Sequence, residues 1–357
     1  HPAGYPAYRC AACDAPLELR LAPADCTPGP GPWRHAGMLP AVTHRISLGE
    51  GGTPLLPLGD ELHVKLESLN PSLSFKDRAM ALAASAALDL GLDGLVLAST
   101  GNAAVSAATY AAAAGLGCRV FCATGSNAGG KLGVARAHGA EVHLVDGHYS
   151  DAYAAAVRAA EGTWLNVTTT YRNPLLAEAY RPIAAELVAS LDRAPDTVVV
   201  PVGAGPLLRG IWHGFGDLQA AGLITRRPRM VGVQAAACAP LARAWTAPDW
   251  PAALREPLDV GPTAAAAIAD ALRGYEDEGL LTLDAARASG GAIVAVDEAQ
   301  IAAAGHRLAH RGLFVEPAAA AAVAALDAGL IPAPGLTVAV LTGHGAKETL
   351  PKEPLRE

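Results

Sequence analysis

Short apolar or β-branched runs alternate along this chain with longer Ala-rich stretches, and the alternation predicts strand, helix, strand, helix. LHVKLE from Leu62 reads as a short strand, the stretch from Lys76 as a helix, GLVLAS as a buried strand and the stretch from Asn102 as a second helix. The same order recurs at CRVFCA, AEVHLV, DTVVVPVG, RMVGVQ and TVAVLTG, each followed by Gly or polar turn residues and then a helical pattern. Apolar strands separated by helices are best buried as parallel sheets with helices on both faces, so the predicted class is α/β. In such folds ligands bind beyond the carboxyl ends of the strands, which directs attention to the loops after these runs.

Length and composition refine this picture. At 357 residues the chain is long for one core and predicts two packed lobes plus an extension. With 51% hydrophobic and 17% charged residues it can bury a large apolar area. The net charge of -7 offers no broad basic surface, which argues against nucleic acid or an anionic membrane as partner and leaves any anion to a local site. The longest apolar runs, such as Ala103 to Gly117, are interrupted and too short to span a bilayer, and HPAGYPAY lacks a basic region followed by an apolar one. A soluble, cytoplasmic protein is the expectation.

Six scattered cysteines do not make a disulfide scaffold. Cys10 and Cys13 form a CxxC, and with Cys26 and His35 they would complete a four-ligand zinc set, although the second half of that set lacks its own CxxC; one CxxC is a weak signal, and a metal-free ribbon is the plainer reading. Cys118, Cys122 and Cys238 lie among apolar neighbours and read as packing residues. A Pro/Gly-rich segment from Pro28 to Pro32 separates the Cys-bearing start from the rest of the chain.

Four loops carry the candidate chemistry. In NPSLSFKDRAM, Lys76 follows a strand and opens a helix; a desolvated lysine there would be a neutral, imine-forming amine, and a solvated charge is the plain alternative. In ASTGNAAVS, Ser99, Thr100, Gly101 and Asn102 stand at a helix start, where N–H groups and hydroxyls suit a carboxylate, or simply cap the helix. VPVGAGPLLRG places Val202, Gly203, Ala204, Gly205, Pro206 and Leu207 in a Gly-rich strand-to-helix turn able to cradle a phosphate, with Pro206 lending no N–H. VAVLTGHGAKE ends a strand at Thr342, and its His344 reads more readily as a loop or packing residue.

GEGGTPL, LESLNPSLSFKDRAM, STGNAAVSAATYAA, GGKLGVARAHGAEV, LFVEPAAAAAVAAL and VLTGHGAKE come one after another between Gly49 and Lys347. In order and spacing they resemble the threonine synthases among the fold-type-II enzymes that use pyridoxal 5'-phosphate (PLP). The resemblance implies two open, twisted, mainly parallel sheets covered by helices. A large PLP-binding domain would take residues 39–75 and 169–357, a small domain residues 76–168, and a Cys-bearing ribbon and linker residues 1–38. It implies PLP bound as a Schiff base on Lys76, with Phe75 and Asn102 beside the pyridine ring and its phenolic oxygen, the turn from Val202 to Leu207 on the phosphate, and Thr342 facing the ring nitrogen. Ser99, Thr100 and Gly101 would grip the substrate carboxylate, and Lys131, Asn166 and Arg172 its other end. The implied activity is that of a lyase working by elimination or replacement on a small amino acid such as O-phosphohomoserine, in a homodimer.

Three departures bear on the substrate. GAGPLLRG looks more like the loop of serine and threonine dehydratases than the GNGGN-like loop of threonine synthases. NVTTTYR stands for the family's NSVNPYR, keeping Asn166, Tyr171 and Arg172 but bringing in Val167 and Thr169, and Val134 replaces the Gln of GKxxQ. Fewer polar groups remain for a substrate phosphate, which keeps open β-elimination or β-replacement on serine, threonine, diaminopropionate or an O-activated serine. A PLP-binding protein without catalysis is a further reading, disfavoured by the intact Lys76 and Ser99–Asn102 set, and a zinc-ribbon interaction module fused to an enzyme-like body is another, which zinc analysis and loss of Cys10 and Cys13 would discriminate.

Overall fold

A computed structural model describes residues 8–19, 21, 32–124, 129–168, 171–331 and 335–348. Each of the seven apolar runs becomes a strand, as β2 (Leu62–Lys65), β3 (Gly94–Ala98), β4 (Gly117–Ala123), β5 (Glu141–Val145), β7 (Thr197–Pro201), β8 (Arg229–Ala235) and β10 (Thr337–Val340). Three strands that the alternation did not single out join them: β1 (Leu55–Pro57), β6 (Trp164–Asn166) and β9 (Ala292–Val296). The first two have only three residues each, too few to show a period of two.

Two sheets result. The larger runs β1-β2-β10-β7-β8-β9, parallel throughout except for β1 against β2, and the smaller runs β5-β4-β3-β6, all parallel. Strands β3, β7 and β10 are buried along their whole length, as continuous apolar runs covered on both faces must be. Alanine brings the covering helices close: Ala79, Ala83, Ala104, Ala107 and Ala108 are wholly buried where the helix Lys76–Asp89 packs on Asn102–Ala114. One apolar cluster takes side chains from both sheets, among them Leu95, Val120, Val198 and Val200. Before the expected boundary at Leu39, a 3-10 helix at Pro32–Met38 puts Met38 into that same cluster. Among the described residues no helix is long and apolar enough to cross a membrane.

Strand order fixes where a ligand can sit. From β7 the large sheet grows through β8 to β9 and then returns to β10 on the other side, and from β3 the small sheet grows through β4 to β5 and returns to β6. Neighbouring loops therefore diverge at β7/β10 and at β3/β6, opening a crevice at the carboxyl ends. At the opposite, amino ends lies an open surface cavity of about 400 Å³ lined by Asp60, Glu61, Arg193, Asp196 and Arg226. Asp196 is ion-paired there with both arginines, so this depression reads as a charged surface seam.

Candidate active site

Lys76 is set by what surrounds it. The loop after β2 is stitched to the loop after β10: Phe75 N–H donates to Thr342 O (3.0 Å), His344 N–H to Leu73 O (3.1 Å), and Ser74 bridges to Gly343. Asp77, with no exposure, accepts from Ser72 N–H (2.6 Å), from the Ser72 hydroxyl and from Ser106 Oγ (2.5 Å), and burial still pushes its carboxyl up to about 6. Arg78 donates to Glu67 through Nε (2.7 Å) and to Glu186 through Nη1 and Nη2 (2.8 Å each), and Lys65 Nζ donates to Glu186 Oε2 (2.6 Å). Burial acts to raise Glu186, but Arg78 and Lys65 outweigh it and hold the carboxylate well below its usual range. Buried charges persist only when paired, so Asp77 and Arg78 of the KDR triplet are scaffold. Lys76 is the member left for chemistry. Its Nζ lies 4.5 Å from the Phe75 ring centroid, and burial pushes its ammonium down to about 8 against the opposing pull of Asp270.

Two helix starts that follow the carboxyl ends of β7 and β3 have backbone donors to spare. In the turn after β7, no hydrogen bond to a described residue occupies the N–H groups of Gly203, Ala204 or Gly205, while Val202 N–H is taken by Val233 O (2.8 Å). Gly205 has φ +100°, and a Cβ there would stand 2.3 Å from Thr282 Oγ1. Thr282 fills that place, donating to Ala204 O (2.5 Å) and meeting the Tyr171 hydroxyl at 2.7 Å. Pro206 begins the helix Pro206–Ala220, and Leu207 is buried beneath the turn. After β3, Gly101 N–H donates to Ser99 Oγ (3.1 Å), leaving the N–H groups of Thr100 and Asn102 without a partner among the described residues. Free N–H groups at a helix start fit anions, and a Gly-lined turn of this kind fits the phosphate of PLP. Asn102 is buried with Nδ2 on Glu316 Oε2 (2.7 Å) and its Oδ1 without a partner among the described residues. Thr342 is buried as well.

The three side chains expected at the far end of the substrate have different surroundings. Lys131 is held between Glu316 Oε1 (3.0 Å) and Glu348 Oε1 (2.6 Å); burial alone would lower its ammonium, but the two carboxylates raise it. Asn166 is wholly buried and turned to the backbone, its Oδ1 accepting from Thr168 N–H (3.0 Å). Arg172 lies over Tyr8 and Tyr153, at 5.7 and 5.9 Å from their ring centroids. Thr169 is outside the described residues. His344 serves packing and a turn, accepting from Ala346 N–H (3.0 Å) and meeting Phe314 edge-on.

Three site residues were not singled out from the sequence. Glu316 links Asn102 to Lys131, and a Cβ on Gly343 would meet it at 2.3 Å; its signal was the acidic residue before the Pro317 helix in LFVEPAAAAAVAAL. Thr282 closes the phosphate turn from 78 positions away, with no local signal. Asp270 accepts from Leu272 N–H (2.9 Å) and Tyr275 OH (2.8 Å) and packs against Gly203; burial raises its carboxyl, and Lys76 pulls it down.

At the chain start, Cys10 N–H donates to Ala15 O (2.9 Å) and Asp14 N–H to Cys10 O (2.8 Å), a tight turn with Cys13 exposed. The backbone N–H groups of Ala12 and Cys13 pull the Cys10 thiol below its ordinary value. Cys26 lies outside the described residues, and among the described ones no group of three or more His, Cys, Asp or Glu could hold a metal, so zinc finds no support. His35 is instead buried in the body of the protein, where burial lowers its imidazole. Cys118, Cys122 and Cys238 are buried, and burial raises all three thiols.

Comparison with known proteins bears on the same crevice. The family model "Pyridoxal-phosphate dependent enzyme" matches residues 46–343. The chain is 36% identical over 339 residues to the threonine synthase of Mycobacterium leprae, with 89% of each chain covered. It is 35% identical to that of Methanocaldococcus jannaschii, covering 89% of this chain and 81% of the relative. Maize serine racemase shares the fold at a TM-score of 0.68 and 19% identity, over 83% of this chain and 88% of the other.

Proposed function

Because the chain belongs to the pyridoxal-phosphate dependent enzymes and is a threonine synthase-like lyase, we propose that it eliminates or replaces a substituent of a small amino acid, with O-phospho-L-homoserine as the first substrate to test. The observation that carries the proposal is Lys76: an amine pushed down to about 8 at a helix start, in a crevice where two neighbouring turns offer unpaired N–H groups. The turn at Gly203, Ala204 and Gly205 would hold the cofactor phosphate; Phe75, Asn102 and Thr342 would border its ring; and Lys76 would be its covalent anchor. Thr100 and Asn102 N–H, with the Ser99 hydroxyl beside them, would fix the substrate carboxylate and so present Cα to Lys76. Once the substrate's amine has taken its place on the cofactor, Lys76 Nζ, a free amine again whose ammonium burial holds near 8, would take the Cα proton and later return it. The bound cofactor supplies the electron sink for the pair left at Cα. Arg172 would meet an anionic substituent at the far end.

Strands β3 to β6 lie within residues 76–168 and the others within 39–75 and 169–357, which supports that division into lobes. A cytoplasmic homodimer completes the proposal, with sedimentation of the PLP-loaded protein as its check.

A second reading has its own support. Lys131 is neutralised by two carboxylates, and Asp270 adds negative charge near Lys76, so an uncharged or amine-bearing β-substituent suits the crevice electrostatically better than a phosphate. Phosphate release and amino-acid product from O-phospho-L-homoserine, with Lys76→Ala as control, separate the two. Lysine-dependent release with threonine formed is the result expected of the first. No release, with turnover of serine, diaminopropionate or an O-activated serine, establishes the second.

A further inference from the structure

We propose that the amino-terminal arm, residues 8–19, is a positioning element of the active site, in which Tyr8 and Arg9 fix Asn166, Tyr171 and Arg172 and thereby set how tightly the amino-acid substrate is held. This rests on the functional reading that puts Arg172 at the substrate. The arm docks on the loop from two directions. Asn166 N–H donates to the Tyr8 hydroxyl (2.8 Å), and the Tyr8 ring lies 5.7 Å from the Arg172 guanidinium carbon. Arg9 Nη2 donates to Asp277 Oδ2 (2.6 Å), and its Nη1 lies 3.6 Å from Oε1 of Glu278, a carboxylate with no exposure. The other oxygen of Glu278 accepts from Tyr171 N–H (2.8 Å), in the same loop.

From Tyr171 the contacts run inward. Its hydroxyl meets Thr282 Oγ1 (2.7 Å), which donates to Ala204 O (2.5 Å) in the turn offered to the cofactor phosphate. Glu18 gives a second anchor by pairing with Arg209, in the first turns of the Pro206–Ala220 helix. A cation on the arm thus faces a buried anion that orders the loop by a charge-assisted hydrogen bond, and removing the cation leaves that carboxylate less compensated. Neither arm residue is placed on a reacting atom, so both act through Arg172 and Tyr171.

The test uses the PLP-loaded 357-residue chain and the variants Arg9→Ala, Arg9→Lys and Tyr8→Phe, the last keeping the ring and removing only the hydroxyl. Steady-state kinetics on whichever amino acid the wild type turns over should show KM raised about three-fold in Arg9→Ala, the factor for losing one partly exposed ion pair while the Tyr171 N–H bond to Glu278 stays in place, with kcat changed by less than about two-fold. Arg9→Lys should recover part of the KM, and Tyr8→Phe should show a smaller rise. Amide hydrogen exchange should quicken at Asn166, Tyr171 and Arg172 and stay unchanged in β3, β7 and β10. Unchanged KM together with unchanged loop exchange in both Arg9→Ala and Tyr8→Phe overturns the proposal. So does exchange that quickens throughout the molecule, which would make the arm a general stabiliser. Should Arg9→Ala fail to fold, Tyr8→Phe decides. If the wild type turns over none of the amino acids tried, the functional reading falls and the local exchange result still decides the role of the arm.

Discussion

Lys76 and Lys131 each stand in the first turn of a helix, and each was expected at the active site from its sequence neighbourhood. Their surroundings make them opposite kinds of lysine. Around Lys76 the nearby ionisable groups have partners of their own: Arg78 is paired with Glu67 and Glu186, and Asp77 accepts from two serine hydroxyls. The amine faces only burial and the distant Asp270, and its ammonium falls to about 8. Lys131 is clasped by Glu316 and Glu348 and stays a firm cation. A lysine becomes a base when its neighbours' charges are already satisfied, and a structural ion when they are not.

The largest effect should come from removing the first of the pair. Lys76→Ala is expected to cut turnover by roughly 10³-fold or more, since it deletes both cofactor anchor and base, and to abolish the visible absorption of lysine-linked PLP. A spectrum like that of the wild type would break the comparison outright. Next, Lys131→Met should leave the cofactor bound but strand Glu316, lowering stability by about 2 kcal/mol, below the value for a fully buried pair because Lys131 keeps some solvent contact. Thermal unfolding of the single variant and of Lys131→Met with Glu316→Gln measures this, and partial recovery in the double variant is expected because the pair is coupled.

The smallest effect sharpens the contrast through pH. Lys76 has its folded value depressed from 10.5 to about 8, so its neutral fraction grows as pH rises through about 8. The rate at which cofactor-free protein captures added PLP should climb through that region and level off above it. Asp270 favours the charged lysine, so Asp270→Asn should move the climb to lower pH, whereas Lys131→Met should leave its position unchanged. A climb centred near the ordinary lysine value of about 10 in the wild type would show that Lys76 is solvated after all.

The positions of Lys76, of the Ser99–Asn102 turn and of the Gly203–Leu207 turn were legible because each is a local event: an apolar run ends, turn residues such as Asn, Pro, Ser or Gly follow, and a helix begins. Residues recruited from a distance were not. Nothing local marks Asp77 and Arg78 as buried; Ser106, Glu67 and Glu186 come to them from elsewhere in the chain. Asn166 is named by the same segment as Arg172, yet its side chain turns to the backbone of its own loop. Glu316 meets Asn102 across 214 positions, and no spacing rule reaches that far.

By itself, then, the sequence determined the α/β class, the strand-to-helix turns at the crevice and the lysine that opens its helix, because hydrophobic period and turn chemistry act between near neighbours. Only the tertiary structure decided which charges cancel, which lysine is left desolvated and which loop the amino-terminal arm holds. Burial and ion pairing depend on what the fold brings together from distant parts of the chain, and that sets the charge each group carries.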